Sequence, residues 1–112
     1  MIKLKYIKFP FLNEMGNYNS DITGIKNIVI WLGFRPKTHG HRIKVSNEYN
    51  IMNKNNCFTI TIPLYQIKGE CKLSKKDILD IKTFIKLNEQ LIMDYSDLKI
   101  TTIYLLENIT KI

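Results

Sequence analysis

The sequence predicts an α+β fold: an antiparallel sheet of about four to five strands, with C-terminal helices packed on one face. Three observations predict it. Short runs that alternate apolar and polar residues, or are rich in β-branched residues, fall between residues 1 and 73. The stretch from Ser74 to Tyr95 is the only long segment whose apolar residues keep a helical period. A shorter helical pattern follows from Thr101. Strands first and helices last is the order of a sheet covered on one side. At 112 residues the chain is long enough for one domain and one modest core, with residues 1–73 mainly strands and loops and residues 74–112 mainly helical.

Met1 to Lys8 sets Ile2, Leu4 and Tyr6 against Lys3 and Lys5, which predicts a half-buried strand ended by Pro10. Asn13 to Gly24 is polar and rich in turn residues, and is expected to be a surface loop. The apolar run Ile28 to Leu32 predicts a central strand covered on both faces, closed by Gly33. His41 to Ser46 places Ile43 and Val45 on one face and Arg42, Lys44 and Ser46 on the other. Asn47 to Asn56 holds five asparagines and reads as a long hairpin loop. Cys57 to Ile62 alternates, with Phe58, Ile60 and Ile62 inward. Pro63 allows only an edge or a bulge beyond it, so Leu64 to Leu73 is expected to form a last strand kinked at Gly69.

In the helical segment Ile78, Ile81, Phe84, Ile85, Leu91, Ile92 and Tyr95 share one side, opposite Lys75, Lys76, Lys82, Thr83, Lys86 and Gln90. Ser74 and Asp77 form a capping pattern at its start. Asn88 interrupts the apolar stripe. A buried amide without partners costs about 1–3 kcal/mol, so Asn88 is expected to mark a break and to cap a second short helix from Glu89 to Tyr95. Thr101 or Thr102 can cap a last helix carrying Ile103, Leu106 and Ile109.

Hydrophobic residues at 45% and charged residues at 24% describe a globule and not a disordered chain. No apolar run approaches the roughly 18 residues of a membrane helix, and the lysine-interleaved start is unlike a signal peptide, so a cytoplasmic protein is expected. Cys57 and Cys71 are then expected to be free thiols.

The net charge of +7 is uneven: residues 1–44 carry +6, residues 45–72 carry +1, and residues 73–112 carry none. A basic surface favours nucleic acid, a ribonucleoprotein, or an acidic or nucleic-acid-binding protein. The chain also has 15 Lys to two Arg, 19 Ile, 11 Asn and no Ala. An AT-rich coding sequence produces that composition whatever the protein does.

The segment Arg35 to Lys44 holds Arg35, Lys37, Arg42 and Lys44, together with both histidines, His39 and His41, and no acid. Arg and Lys supply phosphate contacts and Gly40 permits close backbone approach, so this is the expected contact surface. Tyr18 and Tyr49, in predicted loops, are the expected aromatic contacts, whereas Trp31 and Phe58 read as core. His39-x-His41 is also a metal-ligand spacing, since residues two apart on a strand point the same way. Two ligands are too few and no further ligand stands at a zinc spacing, so no metal or other cofactor is expected. There is no nucleophile elbow, phosphate-binding Gly-rich loop or His-Glu-x-x-His motif, and no catalytic residue is assigned.

His39-Gly40-His41 entering a strand, followed by a hairpin and a helix ending Asn88-x-x-Leu91-x-x-x-Tyr95, resembles a small uncharacterised bacterial His-x-His domain found near toxin–antitoxin and mobile-element genes. The similarity covers roughly residues 36 to 95. The pattern has two prolines where this chain has Lys37 and Thr38, and a Trp where Tyr95 stands. The resemblance implies an α+β fold and a bacterial or mobile-element origin, and transfers no site residues. The expected function is that of a small non-enzymatic basic binding protein acting on nucleic acid or a nucleic-acid-handling protein. One concrete form is a phage- or plasmid-encoded, anti-CRISPR-like inhibitor of a host defence nuclease. The alternatives are an antitoxin-like protein that meets a cognate protein through Ile103, Leu106 and Ile109, and a metal-dependent hydrolase centred on His39 and His41.

Overall fold

A computed structural model of the protein describes residues 16–33 and 40–112. The expected first strand, Met1 to Lys8, and the predicted contacts Arg35, Lys37 and His39 lie outside the described residues.

Among the described residues five strands run in the order β1 (Gly16–Tyr18), β2 (Ile30–Leu32), β3 (Arg42–Ser46), β4 (Cys57–Thr61) and β5 (Ile67–Lys68), each antiparallel to its neighbour. Alternation in β3 and β4 turns Ile43, Val45, Phe58 and Ile60 to one face, where each is at most 1% exposed. Helices α2 (Lys75–Leu87), α3 (Glu89–Ser96) and α4 (Thr102–Asn108) supply Ile81, Phe84, Ile85, Ile92, Tyr95 and Leu105 to the same core. Burying side chains of this kind stabilises by about 1.5–3 kcal/mol each, which is why the helical stripe and the strand alternation meet. The expected architecture, a sheet with helices on one face, is the one observed. Among the described residues no helix is long and apolar enough to cross a membrane.

Helix α2 starts where its capping residues put it: the Asp77 N–H donates to the Ser74 hydroxyl at 3.1 Å. Thr101 does the same for α4, accepting from the Tyr104 N–H at 3.0 Å. Asn88 separates α2 from α3, as its place in the stripe requires. Its side chain does not cap α3. Instead it donates to the carbonyls of Phe84 (2.9 Å) and Thr110 (2.8 Å) and accepts from the Thr110 N–H (2.7 Å), so the buried amide is satisfied by a segment 22 residues away.

Three expectations are corrected. The polar stretch before Gly24 is not all loop: it carries β1 and a four-residue helix α1 (Ser20–Thr23), capped by the Asn19 side chain and ended by Gly24 at φ +81°. The last strand shrinks to two residues, because a turn holding Tyr65 at φ +57° and hydrogen-bonded from Thr61 to Gln66 consumes its first half. Strand β2 is fully buried on one face only among the described residues: Ile30 and Leu32 are buried, and Trp31 between them is half-buried on the other side.

Candidate functional site

Two residues apart on a strand means the same face, and the cross-strand register then fixes the outward row. Trp31 pairs with Lys44, Lys44 with Thr59, and Thr59 with Lys68; in the next row Arg42 pairs with Thr61. No acidic residue occupies an outward position on these paired strands. Among the described residues no helix packs on this face, since the helices fill the other.

Trp31 is the centre of the face. The Lys54 ammonium lies 4.3 Å from its ring centroid and that of Lys44 lies 5.1 Å away. Lys44 is held there by register. Lys54 is brought there by the asparagine-rich loop 47–56, whose fold the sequence dictates through amide chemistry. The Ser46 hydroxyl accepts from the Glu48 N–H at 3.1 Å, and the Glu48 carboxylate accepts from the side-chain amides of Asn53 and Asn56. Asn47 donates to the Asn56 side chain at 3.1 Å and to the Glu70 carbonyl at 2.9 Å, and accepts from the Lys72 N–H at 2.7 Å. Asn50 takes φ +66°, a conformation asparagine tolerates. The carboxylate of the loop is thus occupied inside it, while the Lys54 ammonium projects onto the ring.

Beside this platform a groove of ≈ 460 Å³ runs between β3, β4 and the turn that follows β4. Arg42, Thr61, Gln66 and Lys68 give it polar groups, and Pro63 and Leu64 an apolar wall. Among the described residues no carboxylate forms an ion pair with Arg42, Lys44, Lys54 or Lys68. A second hollow, of ≈ 520 Å³, lies on the helical side and mixes Lys26 and Lys76 with Asp77 and Asp80. Its mixed charge suits an anion poorly. The sheet face offers four cations and a π surface, which together can bind phosphate and stack a base.

Of the residues predicted from sequence, the structure brings Arg42 and Lys44 together on this face. His41 has its Nε2 3.0 Å from the Asp97 carboxylate, and the residue also lines the groove beside Arg42. Among the described residues there is no group of three His, Cys, Asp or Glu side chains that could hold a metal. Tyr18 is 4% exposed, and burial beside Tyr95 pushes its phenol well above the ordinary range. Tyr49 is exposed on the helical side and donates to Asp77 at 3.0 Å, a bond that also raises its pKa. Neither tyrosine reaches the sheet face. Cys57 and Cys71 are free thiols.

Trp31, Lys54, Lys68, Thr59 and Thr61 escaped the sequence reading as site residues. The signal existed for Trp31: if the run alternates like its neighbours, a tryptophan between Ile30 and Leu32 must face away from them. Nothing local marked Lys54, which reaches Trp31 across 23 residues of chain. No protein-family model, curated protein or solved structure matches this chain.

Proposed function

We propose that this chain is a small non-enzymatic binding protein that takes single-stranded nucleic acid on the open face of its sheet. The observation that carries the reading is Trp31 half-buried on a face whose charged residues, among those described on its strands, are all cations, with Lys44 and Lys54 over its ring. A lysine on an exposed aromatic face is worth about 0.5–1 kcal/mol, whereas stacking a base on it is worth about 1–3 kcal/mol. The base therefore wins the ring, and the displaced ammonium of Lys54 moves to the phosphate that arrives with it. A duplex hides its base faces and gains only the charge contacts. An inhibitor of a defence nuclease carried by a phage or plasmid is the biological form we favour. It is supported by the small size and net charge of +7, and by the AT-rich character of the composition.

The test is fluorescence anisotropy of a labelled single-stranded oligonucleotide. Trp31→Ala is expected to weaken binding roughly 5- to 150-fold. Combined reversal of Arg42, Lys44, Lys54 and Lys68 to Glu is expected to abolish it. Unchanged affinity in both variants would sink the proposal.

A second reading rests on α4, where Ile103 (64% exposed), Tyr104 (50%) and Leu106 (39%) form an apolar surface. These residues suit an antitoxin-like contact with a cognate protein, although Ile109 packs against the core and is not available to it. Under that reading, capture of one host protein survives nuclease treatment and is lost in an Ile103→Glu, Leu106→Glu variant whose fold is intact.

A further inference from the structure

We infer that the groove beside Trp31 is a nucleotide subsite, so that one strand stacks on Trp31 and seats a neighbouring nucleotide between Arg42, Lys68 and the Pro63–Leu64 wall. The inference rests on the nucleic-acid reading of this face and adds where the strand runs and what holds its second nucleotide.

The register sets the path. Trp31, Lys44, Thr59 and Lys68 stand side by side on four successive strands. Thr59, on the groove's edge, is two strand spacings from Trp31, or about 10 Å. That is within reach of an adjacent nucleotide or the next one along an extended strand, and Lys44 lies midway to meet the intervening phosphate. The groove's chemistry then matches the parts of a nucleotide. Arg42 and Lys68, paired with Thr61 and Thr59 across β4, present cations on both sides of its floor. Pro63 and Leu64, the latter 73% exposed, offer an apolar wall for a base or sugar. Gln66 carries both a donor and an acceptor, the pair needed to meet a base edge.

The turn that bears these groups is preformed. The Thr61 N–H donates to the Gln66 carbonyl at 2.9 Å, and the Gln66 N–H returns a bond to the Thr61 hydroxyl at 3.0 Å. The Tyr65 N–H donates to the Thr61 carbonyl at 2.8 Å, and the Tyr65 hydroxyl is bonded to Glu89 on α3, anchoring the turn to the helical layer. A groove already fixed in the free protein loses little conformational entropy when it is filled.

The experiment follows Trp31 emission while thymidylates of increasing length, from the mononucleotide to an octamer, are titrated into the wild type and an Arg42→Ala, Gln66→Ala variant. Both substituted side chains point outward, so Trp31 and its platform persist. In the wild type the affinity should rise roughly tenfold or more once the strand is long enough to enter the groove. In the variant that gain should fall below about threefold, while the mononucleotide still quenches Trp31. In parallel, a strand carrying one 4-thiothymidine at successive positions should photocrosslink the wild type at Trp31 from one position and within Pro63 to Lys68 from a position further along. A length gain untouched in the variant, or crosslinks confined to Trp31 and the loop 47–56, would overturn the groove subsite and leave the platform standing. If no thymidylate of any length quenches Trp31, the platform itself is wrong and the subsite falls with it.

Discussion

Trp31→Ala separates binding from folding, because its ring stands on the face opposite the described helices while Ile30 and Leu32 hold the core side. Its effect on stability should be about 1–2 kcal/mol in urea unfolding, the loss of two lysine–ring contacts, alongside the large loss of oligonucleotide affinity. Asn88→Ala should do the reverse. It strips the Thr110 carbonyl and N–H of their side-chain partner in a site only 3% exposed, while the Phe84 carbonyl keeps the backbone N–H of residue 88, and should cost about 2–3 kcal/mol with no direct effect on binding. Tyr65 provides a test in pH. Burial first, and then the bond to Glu89, push its phenol up to about 12 from 10.0. A raised folded-state pKa means that this contribution to stability is complete below the unfolded value of 10.0 and is lost as pH rises through about 12. Urea midpoints measured across that window should fall less steeply in Tyr65→Phe than in the wild type. That Asn88 needed partners was legible from its place in an apolar stripe. Which partners was not, since Thr110 meets it only after α3 and α4 have folded back.

Among the elements, β4, α2 and α3 were legible because each repeats one period over enough residues to leave no alternative: Phe58 and Ile60 alternate, and Ile81, Phe84, Ile85 and Ile92 step by threes and fours. Strand β2 was legible as a strand but not in its exposure. A run of apolar residues looks covered on both faces until the register sets Trp31 beside a lysine on β3 and under another from the loop. Strand β1 and helix α1 were missed because three residues before Asn19 and four between Asn19 and Gly24 carry turn chemistry and no period. Helix α4 shows how much a single anchor can matter. Its Leu105 is fully buried, whereas Ile103 is 64% exposed. Leu105→Ala should therefore cost about 2–5 kcal/mol, and Ile103→Ala no more than about 0.5, in the same unfolding measurement.

For the whole molecule, the net charge of +7 and its concentration before residue 45 pointed to a basic surface, but the described structure builds that surface from Arg42, Lys44, Lys54 and Lys68, two of them beyond that residue. Among the described residues the sheet gathers this patch from four positions that charge counted along the chain does not bring together. Four cations on one face set an expected salt dependence: the logarithm of the binding constant for a single strand should fall with the logarithm of salt concentration at a slope of about −3. Lys68→Ala should make it shallower by about 0.7. The most direct measurement uses the chain's one tryptophan as the reporter, because it lies at the centre of the proposed interface. Trp31 emission is recorded at low salt while single-stranded DNA, and separately the corresponding duplex, are titrated in. Saturable quenching by the single strand, reversed by added salt and much weaker with the duplex, is the predicted result. Emission that does not change as the single strand reaches large excess would contradict a base-stacking role for the open face of this sheet.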